Sequence, residues 1–166
     1  MSKQFSDQTT EGLEILEEKL AIMKNTLDDF ADKLQEQIFA ETKEAYGEEV
    51  LSRWQNPRFM KKMMNASCVG RITGNCGDTM EIYLRIENDR VLETSFFTEG
   101  CGASVACGSV AAELAIDKDV DEAALIGGDS ILQVLRQLPE EERHCAFLAA
   151  EALQDAIHAW MIKPRR

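Results

Sequence analysis

The sequence predicts an α+β domain behind an N-terminal helical extension, and three patterns lead to that prediction. Apolar residues recur at helical spacing through the first part of the chain, alternating strand patterns follow, and helical patterns fill the remainder. Strands that precede a run of helices, rather than alternating with them, are typical of an α+β fold. The predicted division places the extension at residues 1–50 and a second domain at residues 54–163.

The extension is predicted to be one long helix from residue 11 to about residue 46, with Gly47 as its stop. Lys19 and Lys24 would meet as like charges if two copies paired as a parallel coiled coil. We therefore predict that this helix docks onto a partner protein or forms a homo-oligomer other than a parallel coiled coil. The apolar residues of the helix are spaced alternately three and four positions apart along the chain. They are Leu13, Leu16, Leu20, Met23, Leu27, Phe30 and Leu34.

Antiparallel strands are predicted in the middle of the chain. Residues 79–87 alternate apolar and polar side chains, which is typical of a half-buried antiparallel strand. Asn88-Asp89 predicts a turn into a second strand at residues 90–97. Residues 68–73 are expected to add a third strand beside this hairpin. The apolar face of the first strand consists of Met80, Ile82, Leu84 and Ile86.

Helices are predicted to fill the rest of the chain. Residues 103–116 are rich in alanine and serine, so this helix can pack closely on the sheet. Gly127-Gly128 separates a short helix from a second one. Pro139 suits the first turn of a last helix that runs to about residue 162, and the glutamates at 140–142 would then lie at its positive end.

Composition limits the partners and the location of the protein. Acidic residues outnumber basic residues by 30 to 18 in a chain of 166, and the formal net charge is −12. Repulsion at that charge argues against nucleic acid and anionic membrane surfaces as partners. No apolar run reaches the ~18 residues of a membrane span, and the polar start does not resemble a secretory signal. A cytoplasmic location is expected, and the five cysteines are expected to be thiols rather than disulfides.

Candidate ligands are predicted to meet at one edge of the sheet. Cys76 and Asp78 lie directly before the first strand of the hairpin, and Cys101 lies directly after the second. In an antiparallel hairpin these positions share an edge. His144-Cys145, in the first turns of the last helix, would complete the group if that helix end meets the same edge. Thiolate, imidazole and carboxylate are the ligands that zinc and iron prefer.

The remaining cysteines and the run of glutamates have simpler interpretations. Cys68 and Cys107 fit buried core positions, because a free cysteine is most often a small buried hydrophobe. The glutamates at 140–142 are interpreted as a helix-dipole and solubility feature. None of these residues is predicted to take part in chemistry.

Four short motifs follow one another along the chain: Asn56-Pro57-Arg58, Cys76-Gly77-Asp78, Gly100-Cys101-Gly102, and Leu138-Pro139 followed by His144-Cys145. Together they resemble the NifU/IscU family of iron–sulfur cluster assembly scaffolds. Each motif alone is weak, but four in this order are specific, and the resemblance runs from about residue 54 to residue 160. It implies a small three-stranded antiparallel sheet packed by helices.

The resemblance also implies roles for the candidate residues. Cys76, Cys101 and Cys145 would be the cysteine ligands, with Asp78 and His144 as accompanying ligands. Proteins of this family accept persulfide sulfur from a cysteine desulfurase, combine it with iron into a transient [2Fe–2S] cluster and release the cluster to apo acceptor proteins. Cys145, at a helix N-terminus, is expected to gain thiolate character and to accept the sulfur. Asp78 is expected to make the cluster labile.

The chain departs from the family pattern in three places. Many bacterial members carry Leu-Pro-Pro-Val-Lys before the His-Cys pair as a docking motif for an Hsp70-type chaperone. This chain has Leu138-Pro139 followed by three glutamates, and the reversed charge argues against that partnership. Cys107 adds a thiol about one and a half helical turns after Cys101. Residues 1 to about 50 match nothing in the family.

Three functions remain open at this point. The favoured one is a carrier rather than a turnover enzyme, namely a scaffold for transient iron–sulfur clusters. The second is a zinc-dependent sulfurtransferase, in which zinc at the same ligands organises the thiols and Cys145 relays sulfur. The third is a structural adaptor that works through the N-terminal helix. The adaptor leaves unexplained why Cys76-Gly77-Asp78 occurs together with Cys101 and His144-Cys145.

Overall fold

The computed structural model describes the backbone over residues 4–163 and the side chains from residue 19 to residue 163. The chain forms two compact units, and the boundary between them lies within the first helix, between Glu41 and Thr42. The elements are α1 (Gln4–Gln55), β1 (Cys68–Thr73), β2 (Thr79–Glu87), β3 (Arg90–Thr98), α2 (Gly102–Ala115), α3 (Val120–Ala124), α4 (Gly128–Val134), a 3₁₀ turn (Glu140–Glu142) and α5 (His144–Met161).

The first helix is longer than predicted and is kinked at the predicted stop. It begins at Gln4 rather than at residue 11, since no proline or glycine interrupts residues 4–11. Gly47 has φ 81° and ψ 163°, which breaks the helical path. A glycine adopts this backbone at little cost because it has no Cβ atom. The short helical stretch after the kink buries Val50 and Leu51.

The apolar stripe of α1 is exposed to solvent along the described part of the first unit. Leu27 is 62 % exposed and Phe30 is 65 % exposed, and Leu20, Met23 and Leu34 are exposed as well. The two predicted members Leu13 and Leu16 lie outside the described side chains. Exposed apolar side chains in a continuous row are a mark of an interaction surface.

The predicted three-stranded antiparallel sheet is confirmed, with strand order β1-β2-β3. Asn88 and Asp89 have φ 52° and 57°, which are the positive values that a two-residue hairpin turn requires. The apolar face of β2 is fully buried, as the alternation predicts. Tyr83, which lies on the opposite face of this strand, is also buried. The free edge of β3 is covered, because the backbone of Phe96 pairs with Phe59 and Lys61.

Helices cover the apolar face of the sheet and position the site. Helix α2 packs on β3, and α5 packs on β1 and β2 while contacting α2, α3 and α4. The last helix begins at His144 and not at Pro139, which is a correction to the predicted boundary. After Pro139, hydrogen bonds from Glu142 N to Pro139 O and from Arg143 N to Glu140 O close a separate 3₁₀ turn. Among the described residues no helix combines the length and the hydropathy that a bilayer span requires.

The burial of neighbouring phenylalanines gives a test of the fold. Phe96 is 0 % exposed and packs in the core, whereas Phe97 is half-buried beneath Lys62 on the other face of the same strand. Phe96→Ala is expected to lower the free energy of unfolding by about 3–5 kcal/mol. Phe97→Ala should cost about 1 kcal/mol. Urea denaturation of both variants measures the difference, and equal losses would contradict this assignment of the core face.

Candidate metal centre

Two sulfur atoms form the centre of the site. Cys101 is the residue that precedes α2, and Cys145 lies in the first turn of α5. Their Sγ atoms are 4.0 Å apart. Two thiolates that bind one tetrahedral ion at ~2.3 Å lie ~3.8 Å from each other. The spacing therefore suits joint coordination of a single ion without a change in the backbone.

Asp78 reaches this centre from the turn before β2. Its Oδ2 atom accepts hydrogen bonds from the backbone N–H of Cys101, at 3.2 Å, and from the hydroxyl of Ser104, at 2.8 Å. The carboxylate thus holds the first turn of α2. Gly100 makes this approach possible, because a Cβ atom at that position would lie 2.3 Å from Asp78 Oδ2.

Ser104 is a member of the site that the sequence analysis missed. It is fully buried, and its Oγ atom lies 3.4 Å from Cys145 Sγ and 3.6 Å from Cys101 Sγ. The same oxygen bonds Asp78, so one hydroxyl connects all three groups. The available signal was its position three residues after Cys101, since residues at that spacing share a helix face.

Glu142 is the second missed member: its interpretation as a helix-dipole and solubility feature did not anticipate its contacts with the two thiols. Its Oε2 atom accepts hydrogen bonds from both thiols, at 3.8 Å from Cys101 Sγ and 3.7 Å from Cys145 Sγ. One ligand atom from each of these three residues lies within 4.8 Å of the other two. The cause is the 3₁₀ turn, which directs the third glutamate over the sulfurs and leaves Glu140 and Glu141 exposed.

His144 is oriented for binding through one ring nitrogen. Its Nδ1 atom is 2.7 Å from the carbonyl oxygen of Glu141. A carbonyl only accepts, so Nδ1 carries the proton and Nε2 is the acceptor of the ring. Nε2 lies 3.5 Å from Cys145 Sγ. A hydrogen bond that fixes the tautomer in this way is typical of metal-binding histidines.

Cys76 lies near the other predicted ligands but outside the sulfur pair. It is exposed in the turn between β1 and β2, where Gly77 has φ 90°. It lines a surface cleft together with His144 and Phe147. The close group of ligand atoms found among the described residues contains Cys101, Glu142 and Cys145 and does not include Cys76, Asp78 or His144. Ligand roles for Cys76, Asp78 and His144 stay predictions.

Burial controls the acidity of the thiols. Burial raises the pKa of Cys145 to about 12; its contact with the Ser104 hydroxyl opposes this shift, and neighbouring Cys101 adds to it. Burial therefore opposes the thiolate character that is expected of Cys145 from its place at a helix N-terminus, and its role as sulfur acceptor stays a prediction. A bound cation would displace the proton, because metal binding to a thiol releases it.

The two cysteines outside the site are core residues, as predicted. Cys68 and Cys107 are both buried. Burial raises the pKa of Cys68 to about 11, an effect partly offset by Lys163, and burial also raises the pKa of Cys107. Cys76 and Cys101 are thus the exposed thiols of this chain.

Comparison with known proteins gives one family. The profile described as "NifU-like N terminal domain" matches residues 45–166. The iron–sulfur cluster assembly scaffold protein IscU 1 of Archaeoglobus fulgidus is 40 % identical over 114 residues, which is 68 % of this chain and 74 % of that protein. The scaffold protein IscU of Haemophilus influenzae is 32 % identical over 124 residues, which is 72 % of this chain and 98 % of that protein.

A solved structure shares the fold. The N-terminal part of a nitrogen-fixing NifU-like protein from Brucella abortus superimposes with a TM-score of 0.62 at 18 % identity. The match covers 74 % of this chain and 98 % of that structure. The arrangement of sheet and helices is therefore common to both proteins.

The burial of the five thiols predicts their order of reaction with a maleimide. Cys76 and Cys101 should be alkylated first at neutral pH, because they are accessible. Cys68, Cys107 and Cys145 should react at least about tenfold more slowly, because burial blocks access and disfavours the thiolate. Peptide mass spectrometry over a time course measures each site, with the urea-unfolded chain as the control in which all five react alike. Rapid alkylation of Cys107 or Cys145 would contradict the structure.

Proposed function

The chain belongs to the family of NifU-like N-terminal domains, and we propose that it is a scaffold that assembles a transient iron–sulfur cluster and delivers it to apo acceptor proteins. The cluster is built from iron, persulfide sulfur and an external electron donor, which supplies the two electrons that reduce each sulfane sulfur to sulfide. The observation that carries this proposal is the pair of sulfurs 4.0 Å apart, with carboxylate and imidazole groups around it. Relatives that are 30–40 % identical are named as iron–sulfur cluster assembly proteins.

The donor set supports a bound but releasable cluster. Thiolates of Cys101 and Cys145 supply the soft ligands that iron–sulfur clusters need. Oxygen and nitrogen donors nearby, from Asp78, Glu142 and His144, bind iron less tightly than thiolates do. In this proposal the protein is a carrier, and the cluster that it carries is of the [2Fe–2S] type. Cys76, which lines the adjoining cleft, is proposed as a further ligand.

Sulfur enters by thiol–persulfide exchange in this proposal. A thiolate of the scaffold attacks the outer sulfur of the donor's persulfide, the donor's S–S bond breaks, and the donor leaves as a thiolate. Cys145 is the proposed acceptor. Its burial means that the site has to open for this attack, whereas the exposed Cys101 is accessible without a rearrangement.

The proposed partners follow from the same chemistry. A cysteine desulfurase is the sulfur donor, and apo iron–sulfur proteins receive the cluster. Three glutamates follow Pro139 where the docking motif of the family carries a lysine, and this reversed charge argues against an Hsp70-type chaperone as a partner. Zinc fits the same ligands, but the named scaffold relatives favour cluster assembly over a zinc-dependent sulfur relay.

Anaerobic reconstitution tests the proposal. The full chain is incubated with iron, sulfide and reductant, the visible absorption is recorded, and transfer to an apo ferredoxin is followed. Cys101→Ser and Cys145→Ser should lose the cluster absorption. Cys68→Ser is the matched control, because it changes a buried cysteine outside the site. A wild-type protein that acquires no cluster absorption under these conditions would overturn the scaffold function.

Asp78 gives a test of cluster lability. Asp78→Ala should lengthen the lifetime of the bound cluster and slow its transfer several-fold, because it removes a hard oxygen donor that exchanges readily. Lifetimes are measured by the decay of visible absorption under identical anaerobic conditions. Asp78→Asn is the control that keeps the hydrogen bond from Cys101 N. Faster loss of the cluster from Asp78→Ala would show that Asp78 retains the cluster instead of promoting its release.

The exposed face of α1 is proposed as a docking or assembly surface. Leu27→Ser combined with Phe30→Ser should change the oligomeric state or the affinity for the sulfur donor, because both side chains are largely exposed and apolar. Metal binding by Cys101 and Cys145 should be unchanged. Light scattering after size-exclusion chromatography and a desulfurase binding assay measure the effect, with Asp28→Ser combined with Asp32→Ser as the control. An effect on metal binding alone would contradict this proposal.

A further inference from the structure

One carboxylate oxygen lies above both sulfurs of the site. Glu142 Oε2 is 3.8 Å from Cys101 Sγ and 3.7 Å from Cys145 Sγ. In a tetrahedral site with metal–sulfur bonds of ~2.3 Å and metal–oxygen bonds of ~2.1 Å, a sulfur and an oxygen ligand lie ~3.6 Å apart. The three atoms therefore already have nearly the separations of three ligands around one ion.

The other carboxylate of the site is used differently. Asp78 Oδ2 accepts hydrogen bonds from Cys101 N and Ser104 Oγ, so it stabilises the start of α2. Among the described residues, Glu142 is the acidic side chain that forms a close ligand group with the two sulfurs. Glu142 and Asp78 thus have separate roles in this arrangement.

Tyr46 helps to hold Glu142 in place. The hydroxyl of Tyr46, just before the kink of α1, donates to Glu142 Oε1 at 3.5 Å. This leaves Oε2, on the side of the sulfurs, available for an ion. The two residues also line an apolar cavity of about 150 Å³ that reaches Cys101, so the carboxylate is partly shielded from water. Its interaction with a cation is strengthened by that shielding.

We propose that Glu142 is a direct ligand for a divalent cation, together with Cys101, Cys145 and the Nε2 atom of His144. The four donors are two sulfurs, one oxygen and one nitrogen, a set that holds Zn²⁺ in proteins and accepts Fe²⁺. The inference rests on the proposed function, since this ion is the first iron that the scaffold takes up. It assigns the uptake of this ion to the carboxylate of Glu142, which the sequence analysis interprets as a helix-dipole and solubility feature.

Cobalt binding tests the inference with the full-length chain. Co²⁺ is titrated into the reduced protein, and absorption from thiolate-to-cobalt charge transfer reports binding. Glu142→Gln should weaken Co²⁺ binding at least tenfold, because even groups in the outer shell of a metal site contribute about 10–100-fold. The charge-transfer absorption at saturation should be retained, because both sulfurs remain. Thermal melting of the variant should match the wild type in the absence of cobalt.

Glu140→Gln is the matched control. It removes the same charge from the same 3₁₀ turn, but its side chain is exposed. It should change Co²⁺ affinity less than about twofold, as expected for a screened surface charge. Equal affinities for Glu142→Gln and Glu140→Gln would overturn the inference, because the effect would then be one of net charge alone.

The outcomes for Glu142 and for the scaffold function are separable. If the wild type assembles a cluster and Glu142→Gln binds Co²⁺ as tightly as the wild type, the inference fails and the scaffold function stands. If Co²⁺ binding depends on Glu142 and the wild type assembles no cluster, Glu142 stands as a metal ligand, and the scaffold function fails together with the assignment of this ion as its first iron.

Discussion

The antiparallel pairing of β2 with β3 is the constraint on which the rest of the site depends. Because Met80 lies opposite Thr98, the turn before β2 and the start of α2 after β3 are held at the same edge of the sheet. A hydrogen bond from the Thr98 hydroxyl to Thr79 O closes this end of the ladder. Asp78 then reaches the N–H of Cys101, and α5, packed on β1 and β2, brings Cys145 to the same point.

Much of the fold could be predicted because one face of the sheet is buried against the helices. Alternation in residues 79–87 follows directly from burying every second side chain, and Asn88-Asp89 is a favoured pair for a tight turn. The approach of Asp78 to Cys101 follows from the same hairpin geometry. Local sequence sufficed because each of these features is decided by residues that are neighbours in the chain or partners in one ladder.

The features that could not be predicted depend on contacts between distant elements. Glu142 reaches the sulfurs because a 3₁₀ turn separates it from α5, and charge patterning alone made it a helix-end residue. In the sequence, Ser104 is a small residue of an alanine-rich helix with no sign of a special role. Its role comes from contacts with Asp78 and Cys145, which are distant in the chain. The raised pKa of Cys145 comes first from its burial between packed elements, which the local sequence does not show.

These groups satisfy one another through contacts that are individually weak. The sulfurs contact Glu142 and Ser104 at 3.4–3.8 Å, and thiols are poor hydrogen-bond donors. Such contacts keep buried polar atoms from being unpaired, yet each can be exchanged for a metal bond at little cost. Strong ion pairs at the same positions would have to be broken before an ion could bind. A site held together by replaceable contacts is therefore suited to accept a cargo and to give it up again.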